Sequence, residues 1–274
     1  MKPKTIIMLS AKRCGSTAVF RMFQNHPDVH ICHHDQGTSN WEPNFWNLAA
    51  KALEGEPKPL VERLRRTCPD VVSPKVWTEA AVFDLWRQIV DRLGPVLFDK
   101  SPQYLGNWPA LALLHRFMVQ GDDVRLFAFI RDPRDAITSQ FELWGRRVKE
   151  DSPGRRERAW LDKYAHLERL QETMEIPLFR YEDFVAAPAC YAPMLFRHCG
   201  VAHHPPVYAH LQPTSVGRYF ASADWHIRRW RFSEPFRRHL QQYGYDAMHL
   251  PLHRYARQRG RLFIRSLGRQ LLRR

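Results

Sequence analysis

A mostly parallel sheet covered by helices on both faces, opening in a P-loop-like way with a strand, an anion-type loop and a helix, is the α/β fold this sequence predicts. Three observations lead there. Short apolar runs alternate with stretches of helical periodicity, the pattern of strands joined by crossover helices. The first run, Lys4 to Leu9, ends at Ser10-Ala11-Lys12-Arg13-Cys14-Gly15-Ser16-Thr17, after which Val19, Met22 and Phe23 follow at helical spacing. The most apolar run, Val124 to Ile130, gives way to Asp132-Pro133, an N-cap and first-turn pair for a helix running towards Trp144.

The remaining elements fall between and after these two. Val29 to Cys32 and Val96 to Phe98 read as further strands, and Ile176 to Tyr181 as another, followed by Glu182-Asp183 and a helix carrying Met194, Leu195 and Phe196. Breaks near Gly55 to Pro59 and His203 to Pro206 read as loops within one domain, residues 1–250, with residues 251–274 as a separate tail. At 274 residues with 44% hydrophobic and 12% aromatic content, the chain buries a sizeable core and is not disordered as a whole. Six tryptophans, Trp77, Trp86, Trp144, Trp160, Trp225 and Trp230, read as core and groove-wall residues.

No run approaches the roughly 18 apolar residues of a membrane span, and Ile6 to Leu9 is too short for a secretory segment. The five cysteines are scattered, with no C-x-x-C pair, so neither a disulfide framework nor a zinc site is indicated. A cytoplasmic protein is expected.

The formal net charge of +14 attracts anions. No acidic residue follows Asp246, whereas Arg254, Arg257, Arg259, Arg261, Arg265, Arg269, Arg273 and Arg274 all lie in the closing stretch, so the tail holds more than half of the excess. Arginines at four-residue spacing, with Phe263, Ile264, Leu267 and Leu271 on another face, describe a basic amphipathic helix. Such a helix either docks on its own domain or contacts a membrane surface peripherally.

The loop after the first strand offers backbone N–H groups and the positive end of a helix dipole to an anion. Gly15 permits close approach, and Ser16 and Thr17 add hydroxyls. It is not a Walker A loop, which would need Gly at position 10 and Lys at position 16, where serine stands in both places. By itself it reads equally as an ordinary strand-to-helix turn; Lys12-Arg13 favours the anion.

A second motif, Arg131-Asp132-Pro133-Arg134-Asp135-Ala136-Ile137-Thr138-Ser139, stands at the carboxyl end of the best strand, where ligands of open α/β sheets bind. Ser139, a little over two helical turns on, returns to a similar side of the helix. The plain alternative is a surface arginine paired with Asp132 or Asp135.

Together and in this order, the two motifs resemble the family of sulfotransferases that use 3′-phosphoadenosine 5′-phosphosulfate (PAPS). Asp99-Lys100-Ser101-Pro102-Gln103-Tyr104 resembles an element of the carbohydrate-modifying branches. Arg180-Tyr181-Glu182-Asp183-Phe184 resembles the family's R-Y-E-D-L, and Thr214-Ser215-Val216-Gly217-Arg218 its late S-x-G-R segment. The resemblance runs from about Thr5 to Tyr245. It departs from the family at Arg13, where many members carry lysine, and in lacking the Arg-Lys-Gly clamp of the hormone-type branch and the membrane anchor of Golgi members.

The resemblance implies metal-independent transfer of a sulfuryl group from PAPS to a hydroxyl, leaving 3′-phosphoadenosine 5′-phosphate (PAP). Lys12, Arg13, Cys14, Gly15, Ser16 and Thr17 would hold the 5′-phosphosulfate, with Arg13 stabilising the leaving phosphate. Arg131, Ser139, Gly217 and Arg218 would bind the 3′-phosphate. Glu42 is the first choice of general base and His33 the second, while His34, Lys100 and Tyr104 are candidate acceptor contacts. His33 and His34 lack a third metal ligand. The acceptor would be a carbohydrate, a glycolipid or a small molecule such as an alcohol or phenol.

Two rival classes fit less well. A P-loop phosphotransferase or kinase would need the missing Walker lysine. A basic nucleic-acid-binding protein would need one of the known signatures, none of which occurs, and the positive excess lies mainly in the tail.

Overall fold

The computed structural model describes residues 4–31, 43–144, 151–213 and 215–246. In chain order the elements are β1 (Lys4–Ser10), α1 (Ser16–Gln24), β2 (His30–Ile31), α2 (Phe45–Leu53), α3 (Lys58–Thr67), α4 (Glu79–Leu93), β3 (Val96–Lys100), α5 (Trp108–Val119) and β4 (Asp123–Ile130). There follow α6 (Pro133–Trp144), α7 (Pro153–Gln171), β5 (Leu178–Arg180), α8 (Tyr181–Ala186), α9 (Pro188–Cys199), α10 (Arg218–Ala221), α11 (Trp225–Arg229) and α12 (Glu234–Gln242). The chain divides into two compact units, Met1–Arg131 with Asp162–Pro213, and Asp132–Leu161 with Thr214–Arg274.

The first unit holds a five-stranded sheet in the order β2-β3-β1-β4-β5, all of whose pairs are parallel. The predicted fold class is therefore observed. Strand β1 lies in the middle, with Met8 in register with Lys100 of β3 on one side and Phe127 of β4 on the other. The chain leaves β1 towards one flank of the sheet and later returns to the other. The carboxyl end of β1 is thus a topological switch point, the place where open α/β sheets receive ligands.

Alternation along the strands gives each face its own cover. Ile6, Met8, Phe98, Phe127 and Phe129 belong to a core with Phe23 of α1, Phe184 of α8 and Phe196 of α9. Phe23 stacks on Phe98 with centroids 4.3 Å apart, and Phe184 meets Phe129 edge-on at 5.0 Å. On the opposite face, the Trp86 indole of α4 donates to Thr5 Oγ1 at 3.3 Å. Phe45 packs on Trp86 at 4.6 Å and Trp46 on Phe117 at 5.2 Å, joining α2, α4 and α5 over this face.

All five expected strands occur, with altered ends. The second is described at His30–Ile31, Cys32 lying outside the described residues; the third extends to Lys100, and the last stops at Arg180 because Tyr181 opens α8. Of the six tryptophans, Trp86, Trp160 and Trp230 are buried, whereas Trp225 is exposed.

In the second unit, Glu157 of α7 organises the packing. Its carboxylate accepts the Trp230 indole N–H at 2.8 Å and the Ser233 backbone N–H at 3.0 Å. No helix among the described residues is long and apolar enough to cross a membrane. The tail from 251 onwards lies outside the described residues.

Candidate functional site

Between β1 and α1 the chain reverses through two residues in the left-handed region, Arg13 at φ 70° and Gly15 at φ 82°. For Arg13 this costs about 1–2 kcal/mol relative to ordinary backbone, a strain of the kind held at functional loops. Gly15 caps α1 without any side-chain hydrogen bond, and no acidic residue occupies the first turn. The helix therefore presents its first N–H groups and the positive end of its dipole without a built-in anion, which is what an anion site requires. At the foot of the loop, Ser10 Oγ is fully buried and meets no partner among the described residues.

Arg13 is exposed, Lys12 and Thr17 are half-buried and Ser16 is buried. Cys14 points inward. Its sulfur lies 3.6 Å from the hydroxyl of Tyr164, which donates to the Phe129 carbonyl at 2.9 Å. Burial pushes the Cys14 thiol up to about 11, so it is a neutral filler and offers a ligand only its backbone.

Arg131 is 4% exposed at the carboxyl end of β4, and its Nη1 donates to the carbonyl of Arg13 at 3.1 Å. Its guanidinium lies 5.4 Å from the centre of the Tyr181 ring. That ring in turn packs so closely on Gly15 that a Cβ there would fall within it. Tyr181, which the sequence offers as a strand end within the segment resembling R-Y-E-D-L, is thus part of the loop's support.

Asp99 and Lys100, at the carboxyl end of β3, are both buried. Lys100 Nζ lies 5.7 Å from the Phe20 ring centre. Tyr104, expected to touch an acceptor, is fully buried instead and donates its hydroxyl to Asp99 Oδ2 at 2.6 Å. Burial and then the Asp99 carboxylate raise the phenol well above its ordinary range, so it remains a donor. Its position is that of a support for Asp99.

His33, His34 and Glu42 lie outside the described residues. The described residues on either side are anchored at the sheet. Ile31 pairs with Phe98, and the Asn44 backbone N–H donates to Ser101 Oγ at 2.8 Å.

In the second unit, Ser139 is buried on α6, beside Thr138, whose buried hydroxyl meets no partner among the described residues. Asp135 of α6 accepts the backbone N–H groups of Gly217 and Tyr219, each at 2.7 Å. Glu142 accepts Arg218 Nε at 3.0 Å and the Ser222 hydroxyl at 2.6 Å. The late Gly217-Arg218 segment is therefore tied to α6 by two carboxylates. In the sequence Asp135 stands out only as a partner for Arg131, and no local signal marks Glu142.

In comparisons of fold, the sulfotransferase domain of the curacin biosynthetic pathway superposes with a TM-score of 0.61 at 17% identity, over 91% of this chain and 99% of that one. The sulfotransferase domain of the Synechococcus PCC 7002 olefin synthase gives 0.60 at 20% identity, over 90% and 97% respectively. These show a shared fold. No curated protein matches the chain in sequence. Residues 3–205 match the family described as the sulfotransferase family, and since that span is most of the 274 residues, the chain belongs to the sulfotransferase family.

Proposed function

We propose that this sulfotransferase takes its sulfuryl group from PAPS and passes it to a hydroxyl of a carbohydrate, glycolipid or small-molecule acceptor. The observation that carries the donor assignment is the loop at the central switch point. It combines uncapped N–H groups, a close-approach glycine, no acidic residue in the first turn and Arg13 at its crest. The buried orphan hydroxyl of Ser10 at its foot is consistent with a polar ligand. Sulfuryl transfer needs in-line placement of the acceptor and stabilisation of charge on the leaving oxygens.

In the reaction the acceptor oxygen bonds to sulfur as the bond from sulfur to the bridging phosphate oxygen breaks. The electron pair leaves with PAP and the acceptor proton passes to the base. Arg13 with Lys12 stabilises the departing phosphate. Arg131, Ser139, Gly217 and Arg218 are assigned to the 3′-phosphate on the strength of the family motifs. Glu42 is the proposed base, with His33 as the alternative, and His34 and Lys100 are proposed acceptor contacts. Tyr104 acts behind them by holding Asp99.

The proposal places residues 1–250 in the catalytic domain and gives the basic tail, residues 251–274, a peripheral contact with anionic lipid at the cytoplasmic face. The deciding experiment is transfer of labelled sulfate from PAPS into a panel of sugars, glycolipids and alcohols. Transfer that needs Arg13 supports the assignment. Magnesium-dependent ATP turnover without sulfate transfer would replace it with a phosphotransferase.

A further inference from the structure

The residue pair Arg131 and Tyr181 joins two places that the proposed function treats as separate, and all the parts belong to the first unit. Arg131 donates from Nη1 to the carbonyl of Arg13, inside the loop, at 3.1 Å. The Arg131 guanidinium also faces the Tyr181 ring at 5.4 Å, within the range of a cation–π contact. The other side of this chain of contacts is the ring's packing on Gly15, which leaves no room for a Cβ. Arg131 and Tyr181 are 4% and 5% exposed, so neither has slack to move independently.

The two loop residues gripped by this pair, Arg13 through its carbonyl and Gly15 through its Cα, are the two with positive φ. Their conformation decides where the N–H groups that open α1 point. A change in the Arg131 guanidinium therefore reaches the backbone of the phosphosulfate loop through one hydrogen bond and one ring.

We infer that Tyr181 is a positioning residue that couples the 3′-phosphate site at Arg131 to the 5′-phosphosulfate loop, so that engagement of the 3′-phosphate sets the loop for the 5′ group. The inference rests on the proposed assignment of Arg131 to the 3′-phosphate. It adds that discrimination between PAPS and a donor without the 3′-phosphate is cooperative rather than a sum of two independent contacts. Energetic coupling of this kind is reciprocal and amounts to roughly 5–150-fold in binding.

Four ligands measure it by calorimetry: adenosine, AMP, adenosine 3′-phosphate and PAP. The readout is how much more the 3′-phosphate strengthens binding when the 5′-phosphate is also present. In the native protein this factor should be about tenfold. Tyr181→Phe, which keeps the ring, should retain it, and Tyr181→Leu should bring it close to one. A ring with only a packing role would weaken all four ligands together and leave the factor unchanged, which would overturn the coupling. A native factor of one, with the 3′-phosphate strengthening binding equally in both contexts, would also overturn it. If the 3′-phosphate strengthens binding in neither context, the assignment of Arg131 itself fails, an outcome distinct from the other two. Should Tyr181→Leu not fold, amide exchange in the native protein decides. Adenosine 3′-phosphate should slow exchange at residues 15–17 where adenosine does not, and equal exchange with both would refute the coupling.

Discussion

The indole N–H of Trp160 donates to Nε2 of His239 at 3.0 Å in the interior of the second unit. This fixes His239 as a neutral imidazole whose Nε2 is an acceptor, and burial pulls its pKa down to about 4. The unfolded chain, with an ordinary value of about 6.5, binds a proton before the folded one does. Stability from this site is complete above about pH 6.5 and is lost as pH falls towards about 4. The loss amounts to about 3 kcal/mol at its fullest. Urea unfolding at a series of pH values should show this slope in the native protein and not in His239→Gln, which keeps an acceptor but does not titrate. Equal slopes in both would remove His239 as the cause.

Arg13 crowns the loop in an exposed position. Arg13→Ala should lower kcat about 10²-fold or more while PAP binding falls much less, as for a contact made mainly in the transition state. Single-turnover transfer from PAPS measures it, and unchanged turnover would end the assignment. Ser139→Ala should narrow the preference for PAP over AMP. An equal loss for both nucleotides would indicate a structural effect instead.

For the general base, Glu42→Gln keeps size and most hydrogen bonding but removes the basic function. It should reduce kcat by roughly 10²–10⁴-fold with PAPS affinity nearly intact. His33→Ala is the paired variant. If it abolishes transfer while Glu42→Gln is close to native, the histidine is the base.

Tyr104 supplies a hydroxyl to the buried Asp99 carboxylate. Tyr104→Phe removes that donor and keeps the ring, so it should cost about 1–3 kcal/mol in unfolding free energy. Denaturant titration reads this directly. A variant as stable as the native protein would mean that the bond contributes nothing net.

The tail predicts a salt-dependent contact. Full-length protein should sediment with anionic vesicles at low salt, and a chain ending at Leu252 should not, because about 1 kcal/mol is expected per basic residue near such a surface. Full-length protein that stays in solution would refute the membrane role.

Much of the sheet was legible because its central strands carry buried, unbroken apolar runs, as β1 does from Ile6 to Leu9 and β4 from Leu126 to Ile130. The loop was legible because its chemistry is local, from Lys12 to Thr17. Helices α2 to α5 were not read from the sequence, although Phe45, Trp46, Trp86 and Phe117 are buried together. Their role is fixed by a sheet face that has no counterpart in local sequence. The same holds for Tyr181. Its value lies in contacts with Gly15 and Arg131, which are far away in the chain and meet it only through the order of the parallel strands.

The inward turn of Cys14 bears on chemoselectivity. An enzyme that handles activated sulfate must keep stray nucleophiles away from an electrophilic sulfur, and a thiolate is a far better nucleophile than a sugar hydroxyl. Cys14 sits within the loop proposed to hold that sulfur. Had its side chain faced outward, beside Lys12 and Arg13, the surrounding positive charge would have favoured the thiolate, and the donor would have met a rival acceptor in the protein itself. Turned towards Tyr164, with burial raising its pKa, the thiol is kept from serving as that rival. Alkylating reagents should accordingly reach the exposed Cys190 long before Cys14.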